Sequence, residues 1–155
     1  MSSTDAIAER QQWMAVLALA EVSELSAAWE AWEEKPQVER IRGPESGIVM
    51  VRGRIGSGGD RFNLGEATVV RASVRLSGGP LNEDAFGHSY VLGSNPDHAW
   101  YSAVFDGMLA TTQLREKVQQ AVIRPLQHAH ELREAAALAD AQSTKVDFLT
   151  FAREN

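Results

Sequence analysis

The sequence predicts one α+β domain, an antiparallel sheet of about three to five strands covered by N-terminal and C-terminal helices. Two observations point there. Apolar residues recur at helical spacing over residues 5–34, at strand spacing over 38–93, and at helical spacing again over 96–142. The 155 residues also fit a single domain with a real core, and no linker, internal repeat or low-complexity tract divides them.

Taken in order, Ser3, Thr4 and Asp5 are suited to cap a first helix, along which Ile7, Trp13, Met14, Leu17 and Ala20 form the apolar stripe. The pattern restarts at Glu21. Val22, Leu25, Trp29 and Trp32 fall at steps of three and four, with Glu21, Glu24, Glu30, Glu33 and Glu34 on other faces, until Pro36 ends the helix. Val38 to Ile41 reads as an edge strand. Ile48 to Ile55 and Ala67 to Leu76 read as β-branched strands bounded by glycine, and Gly87 to Gly93 as a third. Asn95-Pro96-Asp97 starts a helix that runs to about Ala110: asparagine caps free amides, proline has the right φ, and aspartate suits the positive end of the dipole. From about Gln113 to Gln142, Leu114, Val118, Val122, Leu126, Ala129 and Leu132 predict a long helix that Pro125 bends or splits. The segment 145–152, with Val146 to Phe151, is a last strand or an extended arm.

Composition narrows the function. A chain that is 44% hydrophobic and 23% charged belongs to the soluble globular class, and the lack of cysteine removes disulfides, thiolate zinc sites, a cysteine nucleophile and thiolate ligands to an iron–sulfur cluster. The run WMAVLALA, Trp13 to Ala20, is too short to span a bilayer, and Asp5 and Glu9 sit where a signal peptide carries positive charge, so the expected location is cytoplasmic, without a membrane partner. A net charge of -6 argues against nonspecific nucleic-acid binding. The charge is uneven, however. Seven arginines (40, 42, 52, 54, 61, 71, 75) face only Glu45, Asp60 and Glu66 between Arg40 and Arg75.

Those arginines center on VRGRIGSGGDRFNLGEATVVR, residues 51 to 71. Alternation puts Met50, Arg52 and Arg54 on one face of their strand and Val49, Val51 and Ile55 on the other; Arg71, Ser73 and Arg75 likewise oppose Val70, Ala72, Val74 and Leu76. If both apolar faces cover one helical layer, Arg52, Arg54, Arg71 and Arg75 meet on the outer side, and such a face calls for anions. Solvent with a few rim carboxylates, a phosphate or phosphonate, and the acidic surface of a partner chain are the three sources. The preference for arginine over lysine, 12 to 3, favors recognition over solubility alone.

The loop Gly56 to Gly65 fits no phosphate-binding motif. It lacks a Gly-Lys-Ser/Thr ending, the dinucleotide pattern finds Arg61 where it needs glycine, and the flanking segments are two strands rather than a strand and a helix. It reads as a connection whose glycines supply positive φ. His128 and His130, two apart on a helix, point away from each other and suit the surface. His88 and His98 lack a carboxylate or nucleophile at a recognizable spacing and read as structural, with no metal implied. Trp13, Trp29 and Trp32 suit the core, in part an interface.

The string ESGIVMVRGRIGSGGDRFNLGEATVVRASVRL (45 to 76), then GHSYVLG (87 to 93), DHAWYSAVFDGML (97 to 109), VIRPL (122 to 126) and STKVDFLTF (143 to 151), with RQQWMAVLALA (10 to 20) before them, resembles the G subunits of the bacterial carbon-phosphorus lyase core complex. The shared motif positions are Arg52, Arg54, Gly56, Phe62, Glu66, Thr68 and Arg71. The chain departs from that pattern in its Gly-Ser-Gly-Gly loop, in Ser94-Asn95-Pro96, in a long 78–86 loop and in Ala152-Arg153-Glu154.

The resemblance implies a small α+β subunit that assembles with H, I and J subunits to extract phosphorus from organophosphonates. It implies that the complex displaces adenine from the ribose of MgATP with a phosphonate, giving an α-D-ribose 1-alkylphosphonate 5-triphosphate. The I subunit is credited with that chemistry, the G subunit is required beside it, and carbon–phosphorus cleavage follows on an iron–sulfur radical subunit that a cysteine-free chain cannot be. No catalytic residue carries over. The expected role is a required, non-catalytic subunit of a transferase complex that binds no cofactor alone, MgATP being the complex's substrate. Arg52, Arg54, Arg61, Glu66, Arg71 and Arg75 are the candidate contacts to a partner or anion. A free-standing anion- or nucleotide-binding regulatory domain is the alternative.

Overall fold

A computed structural model describes residues 3–54, 56 and 58–143. Helix α1, Ser3–Leu19, is followed by α2, Val22–Ala31, then by strands β1, Gln37–Arg54, β2, Arg61–Ser77, and β3, Ala85–Leu92, and by α3, Pro96–Ala110. A short α4, Arg115–Val118, passes through a π-helical turn, Gln119–Ile123, into α5, Arg124–Ser143. The strands form one antiparallel sheet in the order β1-β2-β3. The α+β class and the three-stranded sheet agree with expectation.

Local chemistry sets the boundaries. The Glu24 carboxylate accepts the Glu21 backbone N–H at 2.9 Å and opens α2, while Lys35 donates to the carbonyls of Glu30 and Trp32 beyond its end. Asn95 caps α3 by accepting the Asp97 N–H at 2.9 Å, with Pro96 in the first turn. The break expected at Pro125 is the π-turn just before it, where widening the helix accommodates a residue with no N–H and a ring that crowds the preceding turn.

The inner face of β2 alternates as expected: Val70, Ala72, Val74 and Leu76 are buried. Helix α3 lies directly on it and on β3, because two glycines meet there. A Cβ on Gly87 would sit 1.8 Å from the Ala103 carbonyl oxygen, and one on Gly107 2.8 Å from a Leu76 methyl, so no other residue allows this approach. Trp13 and Leu17 of α1, Leu25 of α2, and Val118, Val122 and Leu126 close the core, and Trp29 packs edge-on to Trp100 and Phe105 at 5.8 and 6.2 Å.

Several expectations need correction. The edge strand at Val38 to Ile41 and the strand from Ile48 are one continuous β1, whose ladder slips between Arg40 and Arg42 and again between Arg42 and Glu45. Gly43 makes the second slip feasible, with φ +67° and its Cα so close to the Arg71 carbonyl that a Cβ would lie 2.5 Å from that oxygen. β2 begins at Arg61, earlier than expected, so only residues 55–60 connect the strands. Val51 was expected on the helical layer and is exposed, because β3 and α3 do not extend that far. Ile7 and Leu132, expected on apolar stripes, are exposed as well, being in the parts of α1 and α5 that lie outside the core cluster. The expected strand or arm at 145–152 lies outside the described residues.

Candidate functional site

The β1–β2 ladder has two parts with different chemistry. At its base β2 is flanked on both sides, by β1 and by β3, and its outward arginines are matched within the chain. Glu45 lies across from Arg71 in register and receives Arg71 Nε at 2.7 Å and Arg42 Nε at 2.6 Å. Arg75 reaches Glu39 at 3.0 Å and Asp84 at 3.5 Å. The Arg42 hydrogen bond is the largest influence on the Glu45 carboxyl and, with a lesser contribution from Arg71, holds it below its ordinary 4.5 despite the opposing desolvation. On the same outer face the Ser73 hydroxyl and His88 Nδ1 are 2.9 Å apart.

Toward its far end the ladder becomes a two-stranded ribbon. Register pairs Met50 with Glu66, Val51 with Gly65, Arg52 with Asn63, Gly53 with Phe62, and Arg54 with Arg61, while β3 stops opposite Val69. Two guanidinium-bearing residues, Arg54 and Arg61, thus face each other where the hairpin closes, an arrangement that costs free energy without an anion. Among the described residues no ion pair engages Arg52, Arg54, Arg61 or Glu66, and all four are exposed.

The four arginines expected together therefore form two groups. Arg71 and Arg75 belong to the base; Arg52 and Arg54, with Arg61, belong to the tip, about 23 Å away at seven residues of strand from Glu45 to Arg52. Antiparallel pairing is the reason, because a hairpin that closes at Arg54 and Arg61 sets residue 52 beside 63, not 71. Of the three anion sources, the base uses rim carboxylates of the chain itself, Glu39, Glu45 and Asp84. The expected contacts are placed, then, but not brought to one spot.

Sequence reasoning missed Asp106, which is fully buried in α3. Its carboxylate accepts Arg10 Nε at 3.2 Å and Nη2 at 2.6 Å, Trp13 Nε1 at 2.9 Å and the His88 backbone N–H at 2.9 Å, joining α1, α3 and β3. A lone carboxylate in the apolar run Ala103 to Leu109 was the signal that could have found it. His98 Nε2 lies 2.9 Å from the Leu17 carbonyl oxygen, at the end of α1. These polar groups tie elements together. A cleft of about 420 Å³ runs between Glu83–Phe86 and Ala110–Gln113. Among the described residues no three histidine, aspartate or glutamate side chains gather to hold a metal, and no helix is long and apolar enough to cross a membrane.

Comparison with known proteins matches residues 8–154 to the family described as "Phosphonate metabolism protein PhnG". The chain belongs to the PhnG family. A PhnG protein of Rhizobium meliloti (strain 1021), named alpha-D-ribose 1-methylphosphonate 5-triphosphate synthase subunit PhnG, is 44% identical over 155 residues, covering 98% of this chain and 94% of that relative. Of the positions that carried the resemblance to this PhnG group, Arg52, Arg54, Phe62, Glu66 and Thr68 lie on the ribbon, Gly56 in its connection and Arg71 at its base.

Proposed function

We propose that this chain is a required, non-catalytic subunit of a multi-subunit α-D-ribose 1-methylphosphonate 5-triphosphate synthase, docked on I, H and J partner subunits. In that reaction a phosphonate oxygen bonds to C1′ of the ribose of MgATP as the C1′–N9 bond breaks. Adenine leaves with the bonding pair and takes up a proton, and the product is an α-D-ribose 1-alkylphosphonate 5-triphosphate. The contribution of this chain is to order the partner's site through the ribbon, with bond chemistry left to the partner.

One observation carries this reading: three arginines, 52, 54 and 61, stand outside the core with no counterion among the described residues, beside exposed Ile48, Met50, Phe62 and Leu64. Guanidinium forks and large apolar groups are the residue types that protein interfaces favor. The name of the 44% identical relative, a synthase subunit, agrees with this role. The test mixes the partner subunits, MgATP and methylphosphonate and measures free adenine with and without this chain. Release should require the chain. An equal rate without it, or release by the isolated chain alone, would overturn the proposal, and tight binding of ATP by the isolated chain would favor the free-standing regulatory domain.

A further inference from the structure

Where β3 ends, the Gly93 N–H donates to the Thr68 carbonyl at 2.9 Å, and from there β2 continues back to Arg61 against β1 alone. An isolated two-stranded ribbon is marginal in water and normally keeps its apolar groups on one covered face. This ribbon exposes large apolar side chains instead: Ile48 is 67% exposed, Leu64 62%, Met50 53%, Phe62 41% and Val51 40%. Alternation along β1 puts Ile48 and Met50 on one face and Val51 on the other, so both faces carry exposed apolar groups. A ribbon laid on a flat surface needs only one such face. Two fit insertion into a groove.

The tip is also shaped in advance. The Leu64 side chain folds over the backbone of Gly53, where a Cβ would come within 2.5 Å of its Cδ1, so the glycine leaves it room to lie there. At the end of the arm Arg52, Arg54 and Arg61 have only Asp60 and Glu66 as carboxylates nearby in sequence, and neither is ion-paired among the described residues. A second copy of the chain would bring like arginines together across a twofold axis, a repulsive arrangement. Carboxylates on a different chain would instead match guanidinium forks.

We propose that residues 48–54 and 61–68 form an insertion arm that seats in an apolar groove of a different polypeptide, with both faces covered and Arg52, Arg54 and Arg61 received by carboxylates at the far end of the groove. This deepens, and rests on, the assignment of the chain as a synthase subunit. The arm is the docking element; the arginines at the base of the sheet are not.

The test co-expresses the full-length chain with the synthase subunits and weighs the assemblies by native mass spectrometry, with thermal melting of each isolated chain as the folding control. Three variants are used: residues 51–65 replaced by Asn-Gly, which joins the paired Met50 and Glu66 by a tight turn; Ile48→Asp with Leu64→Asp; and Arg52→Glu with Arg54→Glu and Arg61→Glu. Each should melt within a few degrees of the parent and bind its partners at least tenfold more weakly, with the shortened arm losing assembly altogether. If the parent assembles and the shortened arm assembles equally well, the arm is overturned while the subunit assignment stands. If the parent itself fails to join the synthase subunits, that assignment falls and the arm with it. Self-association of the parent, abolished by shortening, would overturn the heterologous occupant. Should the shortened chain not fold, the point variants decide, since they alter only exposed side chains.

Discussion

The base and the tip of the β1–β2 ladder are built from the same residue types on the same two strands, and their surroundings make them opposites. At the base, α3 buries Val70, Val74 and Leu76 on one side, and Glu39, Glu45 and Asp84 match Arg71 and Arg75 on the other. At the tip, neither face is covered, and Arg52, Arg54 and Arg61 have no counterion among the described residues. The lesson is that the length of a neighboring strand, here the eight residues of β3, decides whether an alternating apolar and basic strand is a core element or a surface offered outward.

If that contrast is right, changes at the base should damage the fold and changes at the tip should leave it intact. The largest effect is expected from Gly87→Ala, which drives a methyl into the backbone of α3 and should abolish soluble expression or lower the melting temperature sharply. Asp106→Ala comes next, stranding the Arg10, Trp13 and His88 donors at a cost of about 3–5 kcal/mol in denaturant unfolding. Leu76→Ala should cost about 2–5 kcal/mol as a cavity forms. Met50→Ala, by contrast, should stay within about 0.5 kcal/mol in the isolated chain.

The smallest effect is electrostatic. Because the Glu45 carboxyl titrates below its ordinary 4.5, its ion pairs stabilize the base above that pH, and the contribution is lost as pH falls through the lowered value. In an NMR titration, Arg42→Ala should raise the Glu45 midpoint most, Arg71→Ala less, and Arg52→Ala not at all.

Much of the fold was legible because its signals are local. Asn95-Pro96-Asp97 opens α3 where expected, and the alternation from Val70 to Leu76 correctly separates inner from outer residues. What was not legible depends on register. Reading 56–65 as loop hid the fact that β2 starts at Arg61, and without that closure point nothing in the sequence shows that Arg71 faces Glu45 and Arg54 faces Arg61. The slips around Gly43-Pro44 broke the period and made one strand look like two. The Asp106 cluster joins residues 93 and 96 positions apart, beyond the reach of any spacing rule.

Hydrogen–deuterium exchange of the chain, alone and within the synthase complex, tests the docking role of the arm most directly. The backbone amides of residues 50–54 and 61–66 should exchange quickly in the isolated chain and become strongly protected in the complex, while residues 70–76, already inside the sheet, change little. An arm that exchanges as fast in the complex as in the isolated chain, with new protection on some other face, would contradict it.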